Sequence, residues 1–244
     1  MFATLIPGAK PAPQSSRELR SPNLLGKHPL IGVMLFLLGS LIFGLFAYYI
    51  KHSASLVLWD ITLSNQMHTT ALNSPVWMKN LALAGSYLGL QIYMGIMFLM
   101  GLYFLVKKFW EEFFMVAILM AGEGIFWHFF TNYFGRTRPD FIQQLEPLLQ
   151  YPSFPSGHTI CGVILFGLLA YFLVPKITAP FGKAMMIIFS VLMMLFISYS
   201  RFFLGAHYLT DVAAGLAGGV AWTSLVITVI EILFKKGDQK YGEE

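Results

Sequence analysis

The sequence predicts an all-α, polytopic membrane protein: six transmembrane helices in one bundle, with a short interfacial helix between the first two. Three observations carry this expectation. Of the 244 residues, 57% are hydrophobic and 11% charged, whereas a soluble domain carries about 25% charged residues. Mean hydropathy is +0.66. Apolar runs recur at close to the length of about 20 residues that carries a helix across a bilayer.

Taken in order, residues 1–29 hold Lys10, Pro11, Pro13, Arg17, Arg20 and Lys27, a composition that suits a flexible tail. They contain no short apolar core followed by a small-residue cleavage site. The first apolar run, near 30–50, is therefore expected to be a permanent span. Residues 51–83 are mixed; Trp59, Asp60, Pro75 and Trp77 suit the headgroup level, where tryptophan prefers to sit. A short amphipathic helix on the membrane surface fits there. The second span, near 84–106, stops at Lys107-Lys108, and Glu111-Glu112 opens a tight connection to the third, near 113–133. A polar loop over 134–157 leads to the fourth span, near 158–174, which stops at Pro175-Lys176. The fifth and sixth run near 184–203 and 211–234, the last stopping at Lys235-Lys236. One membrane domain over 30–236 is expected, with 237–244 as a second short tail.

Charge sets the orientation. Six spans place both termini on one side, with Lys10, Arg17, Arg20, Lys27, Lys107, Lys108, Lys176, Lys183, Lys235, Lys236 and Lys240. The other side has only Lys51, Lys79, Arg136, Arg138 and Arg201. The positive-inside rule then puts both termini in the cytoplasm and the opposite loops on the outer face, be it periplasmic, extracellular or lumenal. The small net charge of +4, spread over loops and tails, speaks for membrane topology and against a nucleic-acid partner. Cys161 is the single cysteine, which rules out an intrachain disulfide.

Three polar strings fall together on that outer side. In Gly135-Arg136-Thr137-Arg138-Pro139-Asp140, Arg138 has the fork shape that grips phosphate oxygens, and Pro139 stiffens the turn that aims it. Tyr151-Pro152-Ser153-Phe154-Pro155-Ser156-Gly157-His158-Thr159 brings Ser156 and Gly157 to the start of a helix. Free N–H groups and the helix dipole favour an anion there, although Ser156 also suits a plain N-cap. His158 can donate a proton to a leaving alkoxide. The third string runs from Ser200-Arg201 to His207 and Asp211. A histidine and a carboxylate at i, i+4 share a helix face, so Asp211 can hold one imidazole nitrogen and leave the other free as a nucleophile. Arg201 adds a second phosphate clamp.

These strings resemble the type 2 phosphatidic acid phosphatase superfamily, which shows Lys-x6-Arg-Pro, then Pro-Ser-Gly-His, then Ser-Arg-x5-His-x3-Asp. The second motif is complete at Pro155–His158 and the third at Ser200–Asp211. The first is partial: Arg138-Pro139 fits, but Thr131 stands where the lysine is expected. The resemblance implies that His207 attacks phosphorus to form a phosphohistidine, that Asp211 orients it, and that His158 protonates the leaving oxygen. Arg138, Arg201, Ser156 and the Gly157 N–H would hold the phosphoryl oxygens. The expected protein is a metal-independent phosphatase with no cofactor. It would act at the membrane on a lipid phosphate such as phosphatidate, phosphatidylglycerol phosphate or polyprenyl pyrophosphate. A lipid phosphotransferase using the same histidine, and a catalytically inactive lipid-phosphate-binding protein, stay open at this stage. A haloperoxidase does not fit, because those relatives are soluble.

Other polar residues read more plainly. Glu123 lies mid-span and is expected to be structural, and His128 to be a packed, hydrogen-bonded core histidine. His52 and His68 are too isolated to suggest a metal. Trp59 and Asp60 would shape the substrate entrance.

Overall fold

A computed structural model describes Leu25 and residues 28–147 and 150–240, the side chains only as far as 234. The tail expected at 1–29, with Lys10, Arg17, Arg20 and Lys27, lies almost wholly outside the residues so described, and the tail expected at 237–244 lies outside them in its last four residues. The helices are α1 (Pro29–His52), α2 (Ala54–Asn73), α3 (Val76–Tyr87), α4 (Tyr93–Val106), α5 (Trp110–Phe134), α6 (Gly157–Leu173), α7 (Pro180–Phe203) and α8 (Leu209–Lys240). A π-helical turn, Leu88–Ile92, joins α3 to α4, so that Val76–Val106 is one span. Among the described residues, six stretches are long and apolar enough to cross a membrane, as expected.

The second span starts at Val76, ahead of the expected 84, because its early polar residues are locally satisfied. Lys79 Nζ donates to the Leu72 carbonyl at 2.8 Å, a C-terminal carbonyl of α2. The fifth span starts at Pro180, where the fixed φ of proline suits the first helical turn. The last helix runs on past the expected end near 234 to Lys240.

α6 and α8 form the middle of the bundle and are its most buried spans. Small residues let the neighbours approach. A Cβ on Gly39 of α1 would fall 2.7 Å from the Ala217 carbonyl oxygen of α8. One on Gly122 of α5 would fall 2.0 Å from the Trp222 ring. Lipid tails are as apolar as leucine, so close packing of this kind, not water exclusion, holds membrane helices together. Between α4, α5, α6 and α7 lies an apolar core that includes Met97, Met115, Leu119, Ile160, Ile164 and Ile197.

Helix α2 is the amphipathic element expected between the first two spans, turned polar side inward. Ser53 caps its start, accepting from Leu56 N at 3.3 Å. Asp60, Ser64, His68 and Ala71 recur at helical spacing and are buried, while Leu58, Trp59 and Ile61 are exposed. His68 stacks on Phe141, with ring centroids 3.8 Å apart. Two expectations change here. Asp60 is fully buried and does not line an entrance. His128 is exposed, bonded to Asn132 of its own helix at 3.1 Å, and no part of the core. Glu123 of α5 lies within interaction range of Cys161 of α6.

Candidate active site

Two chain reversals at one end of the bundle bring the strings together. Helix α5 ends in Gly135, whose φ of 57° is the left-handed conformation that stops a helix. The chain then runs through Arg136 and Arg138 and back to α6. Between α7 and α8 the turn is made by Gly205 at φ 74°. A Cβ on Gly205 would also meet the Phe141 ring at 2.7 Å, so only glycine fits.

His207 lies in that turn, outside the helix. This corrects the expectation that His207 and Asp211 share a helix face: α8 begins at Leu209, and only Asp211 is helical. The partner of His207 Nδ1 is the Ser153 carbonyl at 2.8 Å, while Asp211 Oδ2 stands 3.7 Å away. A carbonyl can only accept, so Nδ1 carries the proton and Nε2 presents its lone pair. Arg138 Nη1 donates to that Nε2 at 3.0 Å. The imidazole is fully buried. Burial first, then the Arg138 and Arg201 charges, hold it well below the ordinary histidine value, so the ring is neutral at pH 7.

Arg138 is fixed from both sides, donating through Nε to the Tyr151 carbonyl at 2.8 Å and through Nη1 to the Ala206 carbonyl at 2.7 Å. Burial and the charge of Arg201 push its guanidinium down to about 10, which leaves it charged at neutral pH. Arg201, on the last turn of α7, is buried. Its Nη1 donates to Glu146 Oε2 at 2.5 Å and to Ser86 Oγ. Its Nε has no protein partner among the described residues.

Ser156 and Gly157 open α6 as expected. The Ser156 side chain does not cap the helix backbone; its Oγ accepts from Thr159 Oγ1 at 3.0 Å and keeps its own hydroxyl proton to donate. Ser156 N donates to the Asp211 carbonyl at 3.1 Å, which ties the second string to the third. A Cβ on Gly157 would lie 3.0 Å from the Trp127 ring, so this glycine also serves packing. His158 lies within electrostatic reach of Arg201, His207 and Arg138. The π-helical turn packs Gly89 against it, an added Cβ there lying 3.3 Å from the His158 Cβ. Such turns are frequent at functional sites. Among the described residues, no three of His, Cys, Asp and Glu gather as metal ligands.

A family model described as the PAP2 superfamily matches residues 112–235, half of the chain and all three strings. This chain belongs to the PAP2 superfamily. It is similar to a protein named phosphatidylglycerophosphatase B from Bacillus subtilis (strain 168), 27% identical over 192 residues that cover 70% of this chain and 91% of the relative. Its fold matches a crystal structure titled as the first transmembrane PAP2 type phosphatidylglycerolphosphate phosphatase from Bacillus subtilis. There the TM-score is 0.65 with 25% identity, over 86% of this chain and 96% of the other.

This PAP2 protein departs from the family pattern at Thr131, and the structure places the surrounding residues. Thr131 is buried, and its hydroxyl donates to the Trp127 carbonyl of its own helix. Arg136 does not stand in for the missing lysine near Arg138. Its Nη1 donates to Asp211 Oδ1 at 2.5 Å and its Nη2 to Asp60 Oδ2 at 2.8 Å. Burial alone would lower Arg136, but these two carboxylates together raise it above the ordinary arginine value. Sequence reasoning gave no role to Ser153, Ser86, Thr210 and Glu146, and a different one to Asp60. Only Asp60 left a readable signal, as the head of the polar stripe Asp60, Ser64, His68.

Proposed function

We propose that this PAP2 protein is a metal-independent membrane phosphatase that removes the terminal phosphate of a lipid phosphate through a phosphohistidine on His207. Phosphatidylglycerol phosphate is the first candidate, from the names of its relatives, ahead of phosphatidate and polyprenyl pyrophosphate. The observation that carries the reading is the 3.0 Å contact between Arg138 Nη1 and His207 Nε2. It sets an oxygen-gripping fork beside the lone pair of a neutral, buried imidazole. Phosphoryl transfer requires little beyond positioning and neutralisation of charge, and two guanidinia and a helix N-terminus supply both.

In this reading Nε2 bonds to phosphorus as the bond to the lipid oxygen breaks, and His158 gives that oxygen its proton. Water then attacks phosphorus, His158 takes up its proton, and the P–N bond breaks to release phosphate. The Ser153 carbonyl holds the Nδ1–H throughout, and Asp211 adds negative charge beside the developing imidazolium. Arg138, Arg201, the Ser156 hydroxyl and the Gly157 N–H hold the phosphoryl oxygens. The Arg201 Nε, buried without a protein partner among the described residues, supports an oxygen acceptor at that point, because an unmade buried hydrogen bond costs about 1–3 kcal/mol. The lysine and arginine count supports cytoplasmic termini and a site on the outer face.

The test is phosphate release by detergent-purified protein in EDTA, offered phosphatidylglycerol phosphate, phosphatidate and undecaprenyl pyrophosphate. Release from at least one, undiminished by EDTA, is expected. Release that requires added Mg2+ overturns metal independence, and no release from any overturns the phosphatase reading.

Two expected outcomes follow from the geometry. Glu146 occupies the Arg201 fork that phosphate would use, so Glu146→Gln should lower KM about five-fold, the rough difference between a charged and a neutral hydrogen bond. An unchanged or raised KM would make Glu146 a structural prop. The second concerns pH. His207 acts as the neutral ring, so the acid limb of kcat/KM should lie below the ordinary histidine range. Removing a neighbouring positive charge makes the imidazolium easier to form, so Arg138→Met should move that limb to higher pH. A limb that stays in place in this variant would show that Arg138 does not set the titration.

A further inference from the structure

The N-terminus of α8 is capped from another helix. Tyr208 precedes Leu209, the first residue of α8, and its side chain cannot accept a hydrogen bond from the first turn as Ser, Asp or Asn does. Two carboxylates do the work instead. Asp211 Oδ2 reaches back to Tyr208 N at 3.1 Å, in the manner of a capping box. Asp60 Oδ1, from α2, accepts Thr210 N at 3.3 Å. Asp60 Oδ2 also accepts from the Thr210 hydroxyl. Arg136 then bridges the two acids and donates to Thr210 Oγ1 at 2.8 Å, its guanidinium 4.1 Å from the centre of the Tyr208 ring. Asp60 and Asp211 are fully buried and Arg136 nearly so.

This network decides which way Asp211 points. Arg136 takes Oδ1, which leaves Oδ2 to face Tyr208 N and, at 3.7 Å, His207 Nδ1. Without Asp60, Arg136 would have one acid in place of two, and Thr210 N would lose its cap in the turn that carries His207. The polar stripe of α2 thus ends in the residue that staples α2 to the reactive turn, while its apolar residues Leu58, Trp59 and Ile61 face outward.

We infer that Asp60 and Arg136 are positioning residues: docked through Asp60, the interfacial helix α2 fixes the orientation of Asp211 and the turn that presents His207. The inference rests on the reading of His207 as the nucleophile. Neither residue is a fixed position of the three motifs, and neither hydrogen-bonds to His207.

The test is Asp60→Asn. Asparagine keeps the volume and the oxygen that caps Thr210 N, and removes the charge that pairs with Arg136. The expected result is a kcat per folded molecule about 10- to 100-fold lower, the order of loss seen when the partner that orients a metal ligand is removed, with KM within about two-fold, whatever the shift in thermal midpoint. A purely structural role would move the midpoint and leave kcat per folded molecule alone. Arg136→Lys, which keeps one charge but cannot fork, should lose kcat in the same way. The double variant should be little worse than the poorer single one, because coupled sites are not additive. Should Asp60→Asn fail to yield monodisperse protein, Thr210→Val is read by the same criteria. Wild-type kcat in any of these folded variants, or a loss confined to KM, overturns the inference. Wild-type protein and His207→Ala are run alongside. Absence of histidine-dependent turnover in the wild type would sink the parent reading, whereas normal Asp60→Asn turnover beside a dead His207→Ala sinks only this one.

Discussion

Replacing His207 by alanine should abolish phosphate release, with kcat down by at least about 10,000-fold, or about 5 kcal/mol at 1.36 kcal/mol per decade. Losses of that size arise when a covalent intermediate can no longer form, because the remaining groups bind and neutralise but have nothing to attack with. The variant also frees the Ser153 carbonyl and an Arg138 N–H, and a buried unsatisfied group costs about 1–3 kcal/mol. His207→Asn avoids half of that. Its amide N–H2 stands close to where Nδ1–H stood and can still donate to Ser153 across the 2.8 Å contact, but it offers no nucleophile. Both variants should be inactive, and His207→Asn should be the more stable. Wild-type protein given phosphorus-labelled substrate and quenched in alkaline denaturant should retain label that is lost in acid and kept in base, as a phosphoramidate is, and neither variant should retain any. Near-normal turnover in His207→Asn would show that some other group attacks phosphorus.

The parts of this site legible in the sequence are those whose chemistry depends on residue type at short range. Arg138-Pro139, Ser156-Gly157-His158 and Arg201 through His207 to Asp211 could be read as strings because each is a local element: a stiffened turn, a helix start, a helix end. The spans were legible because twenty apolar residues have few other uses. What could not be read was pairing across the chain. Asp60 and Arg136 are 76 positions apart, and Arg201 and Glu146 are 55, so no spacing rule connects them. The same gap explains the misplaced helix boundary at His207. An i, i+4 interval looks helical, but Gly205 at positive φ breaks the helix two residues earlier. The Ser153 carbonyl then takes the position assigned to a side chain. Asp60 was misread for a further reason. In a soluble protein an amphipathic helix turns its polar face outward, whereas α2 turns Asp60, Ser64 and His68 into the bundle and leaves Leu58, Trp59 and Ile61 exposed.

His158 gives the second large effect, and the substrate decides its size. A lipid alcohol is a poor leaving group that must take a proton as its bond to phosphorus breaks, so a general acid contributes about 100- to 10,000-fold there. A lipid diphosphate leaves as a phosphate ester, a much stronger acid that needs little help. In kcat/KM, which reports the step that releases the lipid oxygen, His158→Gln should therefore lose about three decades on phosphatidylglycerol phosphate and far less, within about ten-fold, on undecaprenyl pyrophosphate or an aryl phosphate. Dephosphorylation of the enzyme should slow equally from every substrate, because the same water attacks the same phosphohistidine. The label trapped on His207 should then rise for good leaving groups and fall for poor ones. His158 is held by the π-helical turn at Gly89 and by its place on the first turn of α6, and glutamine preserves much of that packing. A loss of the same size on every substrate would instead assign His158 to binding or positioning, because only a proton donor is sensitive to the basicity of the oxygen it serves.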